Sequence, residues 1–382
     1  MWGKGRAYRF IFLMGFVSLL SDFTYEGAKG IIGPYLAFLG ASAFTVSFIS
    51  GLSELAGYWL RLLGGFLSDR LRLYWGFTLF GYALNLLSVP LLGFAKSWQF
   101  AGLLVFLERA GKGIRTPSRD TLLSQATAQV GHGKGFGLHE FLDQLGALSG
   151  PLAVSLVLFL GFGYQTAFLF LFLPALLALS LLLYAKNLYQ NEVSPPASVS
   201  RRLEVKSGFY AYLFASFLVG LGFLQFPLIG YYMEKGLGLS SYQVALLFAL
   251  AMAVDALSAL FFGYLFDRAG FYALVLGLLP GIFAAPLLLY FNQPHMAVLL
   301  WGIAMGVQES IMRSAVAKLS SASARGSAYG LFHFFYGASL FMGGLLAGML
   351  YEYSLNYLIL FSVIAQLLGV LILLKIKLPQ PS

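Results

Sequence analysis

Twelve apolar stretches, each long enough at about 20 residues to cross the hydrocarbon core of a bilayer, divide this chain from end to end. They run over 8–37, 42–68, 73–94, 98–124, 136–160 and 164–185, then over 208–234, 241–265, 271–291, 295–318, 327–350 and 354–376. Only 10% of the 382 residues are charged against 59% hydrophobic, and the mean hydropathy is +0.81. A soluble domain carries about 25% charged residues, so the medium is a lipid bilayer and the spans are helices that satisfy their own backbone. Pro34, Pro117, Pro151, Pro227 and Pro286 interrupt several spans, which membrane helices tolerate because neighbouring helices take up the freed groups. The first span is too long and too charged for a cleaved signal peptide. The net charge of +9 sits between the spans, as expected of Lys and Arg at helix ends, so no nucleic-acid partner is expected.

A six-residue phrase occurs twice. Gly65-Phe66-Leu67-Ser68-Asp69-Arg70 returns 198 residues later as Gly263-Tyr264-Leu265-Phe266-Asp267-Arg268, and the same offset carries Arg115 onto Arg313. A period near half the chain implies two similar halves, the usual construction of membrane transporters. The halves are 1–186 and 208–382, joined by a polar linker over 187–207 that contains Ser194-Pro195-Pro196-Ala197-Ser198 and Arg201-Arg202. Fifteen Lys and Arg residues fall on the linker's side: Lys4, Arg6, Arg9, Arg70, Arg72, Lys134, Lys186, Arg201, Arg202, Lys206, Arg268, Lys318, Arg325, Lys375 and Lys377. Lys96 and Lys235 fall on the other. This asymmetry places both termini and the linker in the cytoplasm of a multi-pass protein of the inner (plasma) membrane.

Twelve spans in two six-helix halves, a cytoplasmic linker and an Asp-Arg phrase after spans 2 and 8 resemble the major facilitator superfamily. Its first signature matches Gly65, Asp69 and Arg70, although the trailing Gly-Arg-Lys is replaced by Leu71-Arg72-Leu73-Tyr74. Arg109 and Gly113 fit its fourth-span signature. Gly146, Gly150 and Pro151 fit the Gly-x-x-x-Gly-Pro phrase of its drug:proton antiporter branch, and Leu152-Ala153-Val154-Ser155 departs from the usual continuation. The resemblance covers the whole chain. It implies an all-α membrane protein of two pseudo-symmetric six-helix bundles that works by alternating access, as a monomer and without a cofactor.

The Asp-Arg phrase has a mechanical reading. Gly65 permits close approach of helices, Asp69 is placed to cap a neighbouring helix N-terminus, and Arg70 to pair with Asp120 at the inner end of span 4. With Asp267 and Arg268 of the second copy these residues make a candidate cytoplasmic gate. The plainer reading is that the pairs only set topology at short turns.

Charges inside the spans carry the chemistry. Span 1 places Ser18, Asp22, Glu26 and Lys29 on one helical side, since positions three or four apart share a face. Span 2 adds Glu54 and Arg61. Span 4 contributes Glu108, Arg109, Lys112, Arg115 and Arg119, and span 5 contributes His139, Glu140 and Asp143. Each such charge at the bilayer centre costs about 2.5–3.5 kcal/mol on the mild insertion scale, so it must pair with a neighbour, water or cargo. Asp22 and Glu26 are the expected proton carriers, tuned by Arg109, with Asp143 and Asp255 as further coupling acids. A static salt-bridge network between spans 1, 4 and 5 is the competing account.

The second half is sparser. Glu309 and Arg313 are four apart and placed to pair along their own helix, while Asp255 has no partner nearby in sequence. Glu54, Lys112, Arg115, His139, Glu309, Arg313 and Tyr336 are candidate cargo contacts. Phe223, Phe226, Tyr231, Phe332, Phe335 and Tyr336 suit either a cavity wall or ordinary packing. His139-Glu140 with Asp143 falls one residue short of a His-Glu-x-x-His zinc phrase and lacks a third ligand, so no metal is expected; His139 and His333 remain candidates for proton relay or polar packing.

No phosphate-binding Gly-x-x-x-x-Gly-Lys-Ser/Thr loop and no nucleophile–base pair stands out, so the expectation is a secondary transporter driven by protons rather than an enzyme. The antiporter-like phrase points to export of a small amphipathic compound. The line Arg109, Lys112, Arg115 and Arg119 suits instead a small organic anion or a metal chelate of siderophore type, imported or exported.

Overall fold

The structure is a computed structural model and describes residues 3–192, 205–321 and 325–376. Every regular element there is helical, apart from an isolated bridge between Val205 and Ser320. The first five spans are α1 Lys4–Phe38, α2 Ala43–Leu71, α3 Tyr74–Leu91, α4 Trp98–Val130 and α5 His132–Phe159. The sixth is α6 Tyr164–Phe170 and α7 Phe172–Tyr189, interrupted at Leu171; the seventh is α8 Phe209–Gly222 and α9 Phe226–Lys235. Then come α10 Ser241–Ala269 and α11 Phe271–Leu289. The tenth span is α12 Pro294–Gly306, a π turn over Val307–Ile311, and α13 Met312–Lys318; α14 Arg325–Tyr353 and α15 Leu355–Lys375 complete the set.

Ten of these spans are long and apolar enough to cross a membrane. The other two are α2 and α4, which carry Glu54 with Arg61 and the Glu108-to-Asp120 charges respectively. Their polarity is the reason they fall short. Large apolar side chains such as Leu257, Leu260, Phe261 and Tyr272 stand 62–74% exposed, as a lipid-facing surface requires.

The repeat has a physical counterpart. α2 and α10 are each 29 residues long, begin 198 positions apart and close on the two Asp-Arg phrases. The turns that follow agree as well: Arg72 has φ 56° and Gly270, 198 positions on, has φ 58°. Glycine takes this left-handed conformation without penalty, whereas Arg72 carries a Cβ there.

The helices cluster into two compact units. One comprises the described residues of Met1–Gly40, Ala56–Ala197 and Ser240–Ala249; the other comprises those of Ala41–Leu55, Ser198–Leu239 and Leu250–Ser382. The N-terminal part of α2 thus belongs with the second unit, where Ser47 Oγ donates to the Gly344 carbonyl at 2.7 Å and Glu352 accepts from the Phe44 amide at 3.0 Å. The first turns of α10 belong with the first unit, where Ser155 Oγ donates to the Tyr242 carbonyl at 2.8 Å. Most of the 187–207 connection, with Arg201 and Arg202, lies outside the described residues, as does Lys377.

Small residues set the helix spacing in the first unit, as is usual in membrane bundles. A Cβ added at Gly146 or Gly150 of α5 would meet the Leu19 or Phe23 carbonyl oxygen of α1. One added at Gly113 of α4 would meet Gly57 of α2, and Gly65 lies against Pro117 of α4. Around this frame Phe10, Met14, Trp75, Tyr82, Leu122 and Leu182 form a shared core of α1, α3, α4 and α7.

In the second unit the break between α8 and α9 is sealed by side chains. Ser362 Oγ and Gln366 Nε2 donate to the Gly222 carbonyl at 2.7 and 3.1 Å, and Trp301 Nε1 donates to the Leu224 carbonyl at 2.8 Å.

Candidate functional site

The polar stripe of α1 is buried inside the first unit. Ser18 is fully buried, and Asp22, Glu26 and Lys29 are 7–9% exposed. Close packing of α5 on α1 through Gly146 and Gly150 shields one side, and α4 supplies the counter-charges from another. Glu26 lies between two ammonium groups, Lys29 Nζ at 3.4 Å along its own helix and Lys112 Nζ at 3.8 Å from α4. Tyr25 donates its hydroxyl to Asp22 Oδ1, and the Lys112 ammonium sits 4.1 Å from the centre of the Tyr25 ring. Lys112 therefore touches Glu26 directly and approaches Asp22 through a shared tyrosine.

Two further pairs extend this network. Arg109 Nε lies 3.5 Å from Glu108 Oε2, and Asn85 of α3 donates to Glu108 Oε1 at 2.8 Å and to its carbonyl at 3.1 Å. Arg119 donates Nη1 to Ser18 Oγ at 3.2 Å, while its Nε and Nη2 bind Asp120 Oδ1 at 2.9 and 2.8 Å. His139 Nδ1 and Asp143 Oδ2 are 3.4 Å apart along α5. The structure thus brings together Asp22, Glu26 and Lys112, with Arg109 paired to its neighbour Glu108 and also near enough to act on Glu26.

Several expected contacts take another form. Asp120 pairs with Arg119, and Arg70 is exposed, with no Arg70–Asp120 ion pair among the described residues. Asp69 accepts from the Tyr74 hydroxyl at 3.1 Å rather than capping a helix, because the short turn brings α3 back beside it. In the second copy Asp267 lies 3.9 Å from Lys318, which stands 198 positions after Asp120, and Arg268 stacks 4.2 Å over Tyr264. Asp267 is exposed and Lys318 half-buried, so the pair contributes little stability. Glu309 and Arg313 are exposed, and Arg313 Nε donates to the Glu309 carbonyl at 2.5 Å instead of its carboxylate.

In the second unit Asp255 is 3% exposed on α10, its carbonyl lying against Gly306 of α12. Tyr336 donates to Gln308 Oε1 at 2.7 Å, tying α14 to the π turn of the tenth span. His333 stacks on Tyr329. Glu54 is half-buried on the N-terminal part of α2, which belongs to this unit. Phe223 stacks on Trp301, a packing role, whereas Phe335 is exposed.

Sequence reasoning missed Tyr25, Asn85, Tyr82 and Gln308. Tyr25 was legible as the residue three after Asp22 and beside Glu26, and Asn85 as an amide inside an apolar span. Tyr82 and Gln308 acquire meaning only from the facing helix. No cluster of three or more His, Cys, Asp or Glu placed to hold a metal occurs among the described residues.

A helical bundle of membrane-spanning length with an interior ion network defines a polytopic membrane carrier. The model of the Major Facilitator Superfamily matches residues 11–302 and 211–382, and the chain belongs to that family. It is 39% identical over 391 residues to an uncharacterized protein of Mycobacterium tuberculosis, covering 98% of this chain and 94% of the relative. It is 28% identical over 378 residues to an uncharacterized MFS-type transporter of Methanocaldococcus jannaschii, covering 95% and 94%. The fold is that of the nucleoside transporter NupG, with TM-score 0.75, 14% identity and coverage of 96% of this chain and 100% of that one. The peptide transporter POT in complex with sulfate gives TM-score 0.78 and 16% identity, with coverage of 96% and 94%. The protein is a membrane transporter of small molecules.

Proposed function

We propose that this protein is a proton-coupled secondary transporter that works by alternating access and carries a small organic anion. The observation that supports it is Glu26 held between Lys29 and Lys112 in the interior of the first unit. Lys29, Arg109, Lys112, Arg115 and Arg119 stand there against Asp22, Glu26, Glu108, Asp120 and Asp143, five bases to five acids, so a base released from its acid carries an uncompensated charge. A lysine released from its acid favours an anionic cargo over a lipophilic cation. A carboxylate shared by two bases also supplies the element that coupling needs: protonating it frees Lys112 to meet cargo, and cargo release returns the pair.

Export of an amphipathic compound rests on the Gly-x-x-x-Gly-Pro phrase. Close packing of α5 on α1 gives Gly146 and Gly150 a structural purpose of their own, so the phrase argues less for direction than for helix spacing. On this reading both termini and the linker face the cytoplasm of the inner membrane, as the Lys and Arg distribution expects, and Asp143 and Asp255 are secondary acids.

The test is uptake by proteoliposomes under an imposed pH gradient, screened over organic anions, metal chelates and lipophilic cations. Movement of anions alone, lost in Lys112→Ala, is the expected result; movement of cationic drugs alone overturns the cargo assignment. Asp22→Asn is expected to retain substrate exchange without a gradient while losing gradient-driven accumulation. Unchanged accumulation in that variant removes Asp22 from the coupling step.

A further inference from the structure

The seam between α3 and α4 buries polar side chains that the Glu26 network does not use. Trp75, Thr78 and Tyr82 recur at three- and four-residue steps on α3 and share a face, as do Arg115 and Ser118 on α4. The helices are in close contact there: a Cβ at Gly81 would meet the Arg115 amide nitrogen and Cβ, and Gly111 lies against Gly81 and Asn85. Arg115 is 1% exposed, and Thr78, Tyr82 and Ser118 are fully buried. The guanidinium lies 4.0 Å over the Tyr82 ring and 5.8 Å from that of Tyr25.

Lys29, Arg109, Lys112 and Arg119 each have a carboxylate oxygen within 4.0 Å; among the described residues Arg115 has none that close, Asp22 acting on it only from farther away. Its Nε and Nη1 also lack a hydrogen-bond partner among those residues, and so do Tyr82 OH, Thr78 Oγ1, Ser118 Oγ and Trp75 Nε1. Buried polar groups are nearly always bonded, so Arg115, Thr78, Tyr82 and Ser118, set near one level of the seam by the Gly81–Arg115 contact, call for an occupant. The guanidinium and indole N–H groups only donate, and the three hydroxyls donate as readily as they accept. A cation is repelled from such a site, and water satisfies the donors without offsetting the charge.

We propose that the α3–α4 seam binds a small inorganic anion of halide size, chloride being the probe, with Arg115 Nε and Nη1 as principal donors and the hydroxyls of Thr78, Tyr82 and Ser118 completing the shell. This anion is resident rather than cargo. It neutralises Arg115 and holds α3 to α4 whatever the transporter carries, so the proposal goes beyond the transport reading and does not depend on it.

The experiment is thermal melting of the full-length protein in detergent, with sodium chloride titrated against sodium gluconate at constant ionic strength. A ligand that binds the folded state raises the melting temperature with its concentration. Chloride and bromide are expected to do so, and Thr78→Val and Ser118→Ala each to weaken the apparent affinity about fivefold, the loss of one hydrogen bond. Arg115→Leu is expected to abolish the response; should it fail to fold, the two hydroxyl variants carry the test. A crystal soaked in bromide is expected to show an anomalous peak beside Arg115 Nε. Equal melting in chloride and gluconate at every concentration, a response that acetate reproduces in full, or no bromide in the seam overturns the proposal and leaves water as the occupant.

Discussion

Replacing Glu26 by Gln removes the one negative charge between Lys29 Nζ at 3.4 Å and Lys112 Nζ at 3.8 Å while keeping the shape of the side chain. With the effective dielectric of about 20 that suits such sites, Coulomb's law gives about 5 and about 4 kcal/mol for the two attractions before desolvation. Removing the carboxylate recovers its own desolvation cost but takes from Lys29 and Lys112 the carboxylate they share. Loss of one partner of a buried pair typically costs about 3–5 kcal/mol, and the Glu26→Gln variant is expected to lose stability in that range. Adding Lys112→Met removes one of those two ammonium charges and leaves Lys29 in place, and neutral replacement of a whole pair is often tolerated. The double variant is therefore expected to recover about 1–3 kcal/mol of the loss, the coupling energy of contacting residues. Thermal melting in detergent reads the stabilities, and proteoliposome uptake under a pH gradient reads the function. Both variants are expected to fail at gradient-driven accumulation. If Glu26→Gln melts with the wild-type protein and still accumulates substrate, the pairing argument is refuted; a double variant no more stable than the single one shows that Lys112 is not its partner.

Gly150→Val drives a side chain into the Phe23 carbonyl of α1, and overpacking of this kind costs about 1–3 kcal/mol. The melting temperature is expected to fall, and an unchanged value refutes the packing role assigned to the Gly-x-x-x-Gly-Pro phrase. Arg72→Gly relieves a left-handed residue with φ 56° and is expected to stabilise by about 1 kcal/mol. Melting in detergent checks the sign, and a lower melting temperature refutes the strain argument. Tyr336→Phe deletes the hydrogen bond to Gln308 at the π turn and is expected to cost about 1 kcal/mol, an effect absent if the variant also carries Gln308→Leu.

The chain announces its medium and its halves without a structure. Uncharged runs of bilayer length leave helices as the economical solution, because lipid offers the backbone no partners, and the Asp-Arg phrase marks the same helix end twice. The α1 stripe was equally legible, since Ser18, Asp22, Glu26 and Lys29 sit one turn apart and local periodicity alone puts them on one side. Which charges meet across helices is another matter. The expected Arg70–Asp120 pair gave way to Arg119–Asp120, adjacent residues whose side chains converge once Ser18 of α1 draws the Arg119 guanidinium inward. Nothing in the spacing along α4 could say that Lys112 faces Glu26 while Arg109 keeps Glu108.

The sequence by itself determined that this is a membrane protein of twelve spans in two related halves with costly charges in its first half, because hydropathy, period and helical phase are local properties of the chain. Only the tertiary structure decided the partners: Lys112 between Glu26 and the Tyr25 ring, Asn85 on Glu108, and Arg115 against Tyr82 with no carboxylate within 4.0 Å among the described residues. The physical reason is that helix spacing and rotation, set here by glycines such as Gly81, Gly113 and Gly150, choose which faces meet, and a charge inside a bilayer is defined by what it meets.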